Sequence, residues 1–143
     1  METYRIILAD DHPIVRQGIK NLLSENPYLE VIGEAADGHE VMELLNKSQP
    51  NLILLDIEMP RLGGLKAAYE IKKRYPQVKL LILTMHKEDS YLSVAQGIGV
   101  EGFVLKYDVD QVLLDAIEVV SHGGMFISPL LQSQDANVDV RKI

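Results

Sequence analysis

Four short, unbroken apolar runs punctuate the chain: Ile6-Ile7-Leu8-Ala9, Leu52-Ile53-Leu54-Leu55, Leu80-Leu81-Ile82-Leu83 and Phe103-Val104-Leu105, with a weaker fifth at Val31-Ile32-Gly33. Apolar residues in a row, without alternation, suit strands covered on both faces, as in a parallel sheet. The stretches between them carry helical spacing instead. Val15, Gly18, Ile19, Leu22 and Leu23 fall at i, i+3, i+4, i+7 and i+8. Val41, Leu44 and Leu45 repeat the pattern, as do Leu65, Ala68 and Ile71, and then Val109, Val112, Leu113, Ala116, Ile117 and Val120. The segment from about Glu88 to Gln96 is a less regular helix.

Breakers fall between the segments. Pro13 suits the first turn of a helix, where its missing N–H costs nothing. Pro27, Pro50 and Pro76 close helices before the next strand, and Gly97 is the expected left-handed helix stop. Strand and helix therefore alternate five times, which implies a parallel sheet with helices on both faces and right-handed crossovers. After about Ser121 the pattern fades. His122-Gly123-Gly124 reads as a turn, Met125 to Pro129 as a segment that packs back locally, and Leu131 to Ile143 as a polar linker or tail. The expected organisation is one domain over residues 1–121 followed by a linker or tail over 122–143.

Composition narrows the class. With 143 residues the chain can bury a full core without staples. Lys and Arg total 14 against 21 Asp and Glu, a net charge of −7, which argues against gripping nucleic acid or an anionic membrane by bulk electrostatics. Cysteine is absent, so thiol catalysis, disulfides and Cys-ligated zinc are excluded. No apolar run approaches the roughly 18 residues of a membrane span, and the N-terminus has no secretory pattern. A cytoplasmic, acidic protein is expected.

The chemistry lies where the apolar runs end. The first run is followed by Asp10-Asp11, the third strand ends in Asp56, the fourth in Thr84, and the fifth is followed by Lys106. In a parallel sheet these positions share one carboxyl edge, where open α/β sheets bind ligands. Three carboxylates in one cleft repel one another and call for a cation. An oxygen-only donor set suits Mg²⁺, or Mn²⁺ in its place. Lys106 and Thr84 add a positive charge and a hydroxyl donor, which a phosphoryl group requires. A carboxylate such as Asp56 can act as nucleophile and form an aspartyl-phosphate.

Ala9-Asp10-Asp11-His12-Pro13-Ile14-Val15-Arg16-Gln17-Gly18, Leu55-Asp56-Ile57-Glu58-Met59-Pro60 with Gly64, Leu83-Thr84, and Phe103-Val104-Leu105-Lys106 together resemble the receiver domain of bacterial two-component response regulators. The resemblance covers about residues 3–121, and the opening motif is similar to the NarL/FixJ (LuxR-type) group. It implies a flavodoxin-like (βα)5 sandwich with five parallel strands in the order 2-1-3-4-5. It also implies a signalling switch rather than an enzyme, in which Asp56 accepts a phosphoryl group from a sensor histidine kinase. By the same resemblance, Asp11 and Asp56 with the backbone carbonyl of Glu58 hold Mg²⁺, and Asp10 acts on the metal directly or through water. Lys106 and Thr84 meet the phosphoryl oxygens, and Phe103 takes the place of an aromatic that turns inward on activation. Pro60 and Gly64 shape the loop after Asp56. A homodimer through the fourth and fifth helices, or the first and fifth, is implied. So is control of transcription through a helix-turn-helix effector domain beyond the linker, which would carry any contact with DNA. Phe103 has no hydroxyl, so its switching rests on packing.

Two other signals are set aside. Gly97-Ile98-Gly99-Val100-Glu101-Gly102 matches a dinucleotide-binding fingerprint but follows a helix and precedes a strand, the reverse of the required context. His12 and His86 adjoin site residues and read as ordinary loop histidines. A Mg²⁺-dependent phosphohydrolase is the rival reading; the Asp-x-Asp pair common in such enzymes is missing at Asp56-Ile57-Glu58.

Overall fold

The computed structural model describes residues 2–85, 89–129 and 131; His86, Glu88 and the tail from 132 onward lie outside them. Strands and helices alternate as β1 (Tyr4–Ala9), α1 (Pro13–Leu23), β2 (Leu29–Ala35), α2 (Gly38–Lys47), β3 (Leu52–Asp56), α3 (Gly64–Arg74), β4 (Lys79–Thr84), α4 (Asp89–Ile98), β5 (Gly102–Leu105), α5 (Val109–Ser121) and β6 (Phe126–Ile127). A single 3-10 turn, Lys106–Asp108, joins β5 to α5.

The unbroken apolar runs have a direct explanation. Along each strand, alternate residues enter two different cores. Ile7, Ile53, Leu55, Leu80, Ile82, Phe103 and Leu105 pack with Val41 and Leu45 of α2, Ile71 of α3 and Leu92 of α4. Ile6, Leu8, Leu52, Leu54, Leu81, Leu83 and Val104 pack on the other side with Ile19 and Leu23 of α1 and with Leu113, Ile117 and Val120 of α5. With a helical layer on each face, the middles of β1, β3, β4 and β5 hold no polar residue, whereas β2 at the edge of the sheet exposes Glu30 and Glu34.

The sheet is parallel and ordered 2-1-3-4-5, as expected, but it carries a sixth strand, giving β2-β1-β3-β4-β5-β6. Phe126 and Ile127 pair in parallel with Gly102 and Phe103. The backbone N–H of Ser128 then donates to Phe103 O at 2.9 Å, and the Ser128 hydroxyl accepts the N–H of Leu105 at 3.0 Å. Ser128 is fully buried and Leu131 is 1% exposed within the α2–α3–α4 core. The packed structure therefore continues beyond Ser121. The turn that allows this uses Gly123 at φ 91°.

One helix end differs from expectation. Gly97 lies inside α4, and the left-handed residue is Gly99, at φ 99°. Gly99 N–H donates to Gln96 O and Val100 N–H to Ala95 O, both at 3.1 Å. This closes the helix with a Schellman pattern that needs the glycine just after the last helical residue. The glycine-rich stretch from Gly97 to Gly102 is thus a helix end leading into β5.

Ser128→Ala removes the acceptor of a buried N–H and should lower unfolding free energy by about 1–3 kcal/mol. Urea denaturation followed by far-UV circular dichroism measures this; an unchanged midpoint would show that the Ser128 hydroxyl adds no stability.

Candidate functional site

Asp10 follows the last residue of β1, Asp56 ends β3, Thr84 ends β4 and Lys106 follows Leu105 of β5. Register sets their neighbours, because Asp56 pairs with Leu83 and Thr84 pairs with Leu105. The sheet thus brings all five expected residues, Asp11 included, to one carboxyl edge. Asp10 and Thr84 are fully buried and Asp56 is 3% exposed.

The contacts within the cleft are short. Lys106 Nζ lies 2.6 Å from Asp10 Oδ2 and 3.2 Å from Asp56 Oδ2, so one ammonium serves two buried carboxylates. Backbone donors hold the other oxygens: the N–H of His12 donates to Asp10 Oδ1 at 2.8 Å, and the N–H of Glu58 donates to Asp56 Oδ1 at 3.2 Å. The Arg16 guanidinium donates to the carbonyl oxygen of Asp10. His12 Nδ1 stands 3.2 Å from Asp10 Oδ1 and 3.0 Å from Asp11 Oδ1, ion pairs only when the imidazole is protonated. His12 therefore belongs to the cleft, a role its sequence context gave no reason to prefer.

Electrostatics follow from this crowding. Burial, then the neighbouring charge of Asp10, pushes the Asp56 carboxyl up to about 6, against the pull of Lys106 and the Glu58 N–H. For Lys106, burial disfavours the charged form, but Asp10 and Asp56 outweigh it and hold the ammonium pKa above its ordinary value. Within this cluster, Asp10 Oδ2 and Asp11 Oδ1 are buried and met by no donor at a hydrogen-bond angle; the 2.6 Å approach of Lys106 to the former is an ion pair without that alignment. One ligand atom from each of Asp10, Asp11, His12 and Asp56 falls within 4.8 Å of the others. Buried carboxylate oxygens short of donors, with no sulfur among them, fit a hard divalent cation such as Mg²⁺.

The loop after Asp56 is built to approach it closely. The N–H of Ile57 donates to Leu83 O at 3.0 Å and that of Gly64 to Ile57 O at 3.1 Å. A Cβ at position 64 would lie 2.1 Å from the carbonyl oxygen of Asp56 and 2.8 Å from Ile57 Cα, so only glycine can start α3 there. Phe103 is 2% exposed and lies inward in the α2–α3–α4 core. Met85 and Tyr107, on the loops after β4 and β5, are largely exposed.

Residues 6–118 match the model of the response regulator receiver domain. Among curated relatives, the transcriptional regulatory protein DegU of Brevibacillus brevis is 38% identical over 125 residues, covering 87% of this chain and 53% of its own length. The chain spans a little over half the length of the curated relatives it matches. Two solved structures are close in shape. A LuxR-family two-component response regulator from Aurantimonas sp. is 34% identical with a TM-score of 0.92, covering 97% of this chain and 99% of that one. The isolated receiver domain of RcsB from Salmonella enterica serovar Typhimurium, determined with the phosphomimetic BeF₃⁻, is 28% identical with a TM-score of 0.87, covering 92% and 98%.

The raised pKa of Asp56 carries a sign. The unfolded carboxyl titrates near 4 and the folded one near 6, so between these values the native state holds a proton that the unfolded chain has released. This group's contribution to stability is complete below about pH 4 and is lost as pH rises through about 6. Asp56→Asn, which stays neutral, should therefore be more stable than the parent by about 1–3 kcal/mol at pH 7.5 in EDTA, with the gain vanishing near pH 4. Urea midpoints of both proteins across that range test it; a gain independent of pH would contradict the burial of a charged Asp56.

Proposed function

The chain belongs to the response regulator receiver family, and on that premise we propose that it is a phosphorylation-operated switch whose acceptor is Asp56. Proteins of this family act as signalling switches and transcription regulators, not as metabolic enzymes, and their receiver domains bind Mg²⁺ at the acidic pocket. The observation that carries the proposal is the sharing of Lys106 between Asp10 and Asp56, 2.6 and 3.2 Å away, with Asp56 oriented by the Glu58 N–H.

In the proposed reaction an Asp56 carboxylate oxygen attacks the phosphorus of a phosphohistidine on a sensor histidine kinase. The P–N bond breaks, and the histidine nitrogen leaves with the bonding pair and takes up a proton. Asp56 then carries an acyl phosphate. Asp10, Asp11, Asp56 and the backbone carbonyl of Glu58 are the groups that would hold Mg²⁺, whose charge offsets that of the carboxylates and phosphoryl oxygens when it is bound. Lys106 exchanges its contact with Asp56 for a phosphoryl oxygen, and the Thr84 hydroxyl donates to another. Phe103, packed inward, follows the movement of the β4 and β5 ends. The result is a shift between two populations of surface rather than a released product.

Residues 1–121 form the receiver in this reading, and 122–143 lead toward an effector domain, through which any DNA contact would run. A homodimer through α4 and α5, or α1 and α5, accompanies phosphorylation. No helix among the described residues is long and apolar enough to cross a membrane, and a cytoplasmic location is proposed with the kinase partner.

Incubation with Mg²⁺ and acetyl phosphate, followed by intact-mass spectrometry, should show one added phosphoryl group, abolished by EDTA and by Asp56→Ala. Lys106→Ala should take up phosphate poorly and give no change in oligomeric state by light scattering. Fast turnover of phosphate esters without a trapped adduct would overturn the switch in favour of a phosphohydrolase.

A further inference from the structure

Apart from the phosphoacceptor cleft, one ion pair ties two loops of the sheet edge together. Arg61, in the loop between β3 and α3, has φ 62° and is the one non-glycine residue with positive φ among those described. That region disfavours any residue with a Cβ and is uncommon outside glycine, asparagine and aspartate. The Arg61 side chain is itself largely exposed, yet its guanidinium is engaged. Nε donates to Asp37 Oδ2 at 2.7 Å, and Nη2 donates to the same oxygen.

Asp37 is an unusual surface partner because it is 1% exposed. It caps α2, its Oδ1 accepting the N–H of Glu40 at 2.9 Å, while Glu40 Oε1 accepts the N–H of Ala36 at 2.7 Å. Burial disfavours the Asp37 carboxylate, but the N–H of Glu40 and Arg61 outweigh it and hold its pKa below the usual range. An exposed pair between flexible chains contributes little, whereas a buried carboxylate losing its cation is left uncompensated.

The adjacent residues are tied as well. The N–H of Gly38 donates to Leu62 O at 2.8 Å, and a Cβ at Gly38 would lie 2.6 Å from that oxygen. Residues 37 and 38 thus hold 61 and 62 by one ion pair and one backbone bond. The held segment follows Glu58, whose N–H orients Asp56.

We infer that Asp37 and Arg61 are positioning residues: their ion pair holds the β3–α3 loop in a left-handed turn that sets the Glu58 backbone against Asp56 for binding a divalent cation. The cation-binding half of this inference rests on the reading proposed above. The loop-holding half does not. Neither residue touches the carboxylate cluster, so their loss should weaken affinity without removing a ligand.

Calorimetric titration of the unphosphorylated protein with Mg²⁺ tests the inference. Arg61→Ala and Arg61→Gly should each weaken Mg²⁺ binding roughly tenfold, the range for groups that orient ligands, and Arg61→Lys should recover part of it. Acetyl phosphate labelling should need correspondingly more Mg²⁺ for half-maximal rate, with the rate at saturating Mg²⁺ close to that of the parent. Arg61→Gly removes the ion pair while accommodating positive φ, so wild-type Mg²⁺ affinity in that variant, or in Arg61→Ala, would overturn the role of the guanidinium. Hydrogen exchange of the amides of residues 57–63, followed by mass spectrometry without metal, separates the two halves. Faster exchange in Arg61→Ala is expected, and unchanged exchange would overturn the latch. Should the parent protein take up neither Mg²⁺ nor phosphate, the proposed function fails, and the exchange result alone decides the latch.

Discussion

Two buried carboxylates share one ammonium, and the rest of the molecule is arranged around that imbalance. Asp10 and Asp56 are almost wholly withdrawn from water, and both lie against Lys106. Asp11 adds a third carboxylate at the rim. Like charges a few ångströms apart in a poorly solvated cleft repel by far more than they would in water, and desolvation adds to the cost. Lys106 offsets one of these charges, and the remaining excess can be relieved in more than one way. Protonation of Asp56 near pH 6 is one relief. A divalent cation is a second. A phosphoryl group is not a relief but a further demand, since it adds charge and oxygens that Lys106 cannot serve while still serving both carboxylates. In the proposed switch, that demand is what redirects Lys106 and Thr84.

Such an arrangement needs a support that does not relax. The sheet supplies it by burying both faces of its strands. Each inward residue of β1, β3, β4 and β5 lies in one of two cores, so shifting a strand by one residue would exchange its entire complement between helical layers. Along these four strands the polar residues therefore fall at or near the ends. The same packing that makes the strands apolar throughout gathers the carboxylates, the hydroxyl and the ammonium at one edge. The close approach of Gly64 to the Asp56 carbonyl and of Gly38 to Leu62 extends this rigidity into the loops.

That logic explains what could be read from the sequence. Runs such as Leu52–Leu55 and Leu80–Leu83 declare doubly covered strands, and the residue after each run is where the cleft must lie; Asp10, Asp56, Thr84 and Lys106 follow from position alone. The sixth strand was not legible, because Phe126 and Ile127 are too few to show a period and their pairing depends on the open edge of β5. Gly97 and Gly99 are equivalent as symbols, and only the length of α4 decides which one adopts positive φ. The Asp37–Arg61 pair links residues 24 positions apart through an exposed side chain with no pattern around it. His12 is similar: an imidazole beside two aspartates reads as a loop residue until the backbone turns it toward both.

The two ends of the imbalance also reach different parts of the chain. Asp56 is followed by the loop that Asp37 and Arg61 hold, so its position is set from the β2 side of the sheet. Lys106 is set from the opposite edge. It follows Leu105, whose N–H is bound by the Ser128 hydroxyl, and Phe103 O is bound by the Ser128 N–H. Any movement of Lys106 toward a new anion must either leave the end of β5 in place, using only the four carbons of the side chain, or carry Ser128 and the sixth strand with it. The first course is local and ends at the cleft. The second displaces backbone bonds that hold the segment beyond α5, because a buried N–H such as that of Leu105 cannot be left without its acceptor. Ser128 thus ties the end of β5, next to Lys106, to the segment beyond α5.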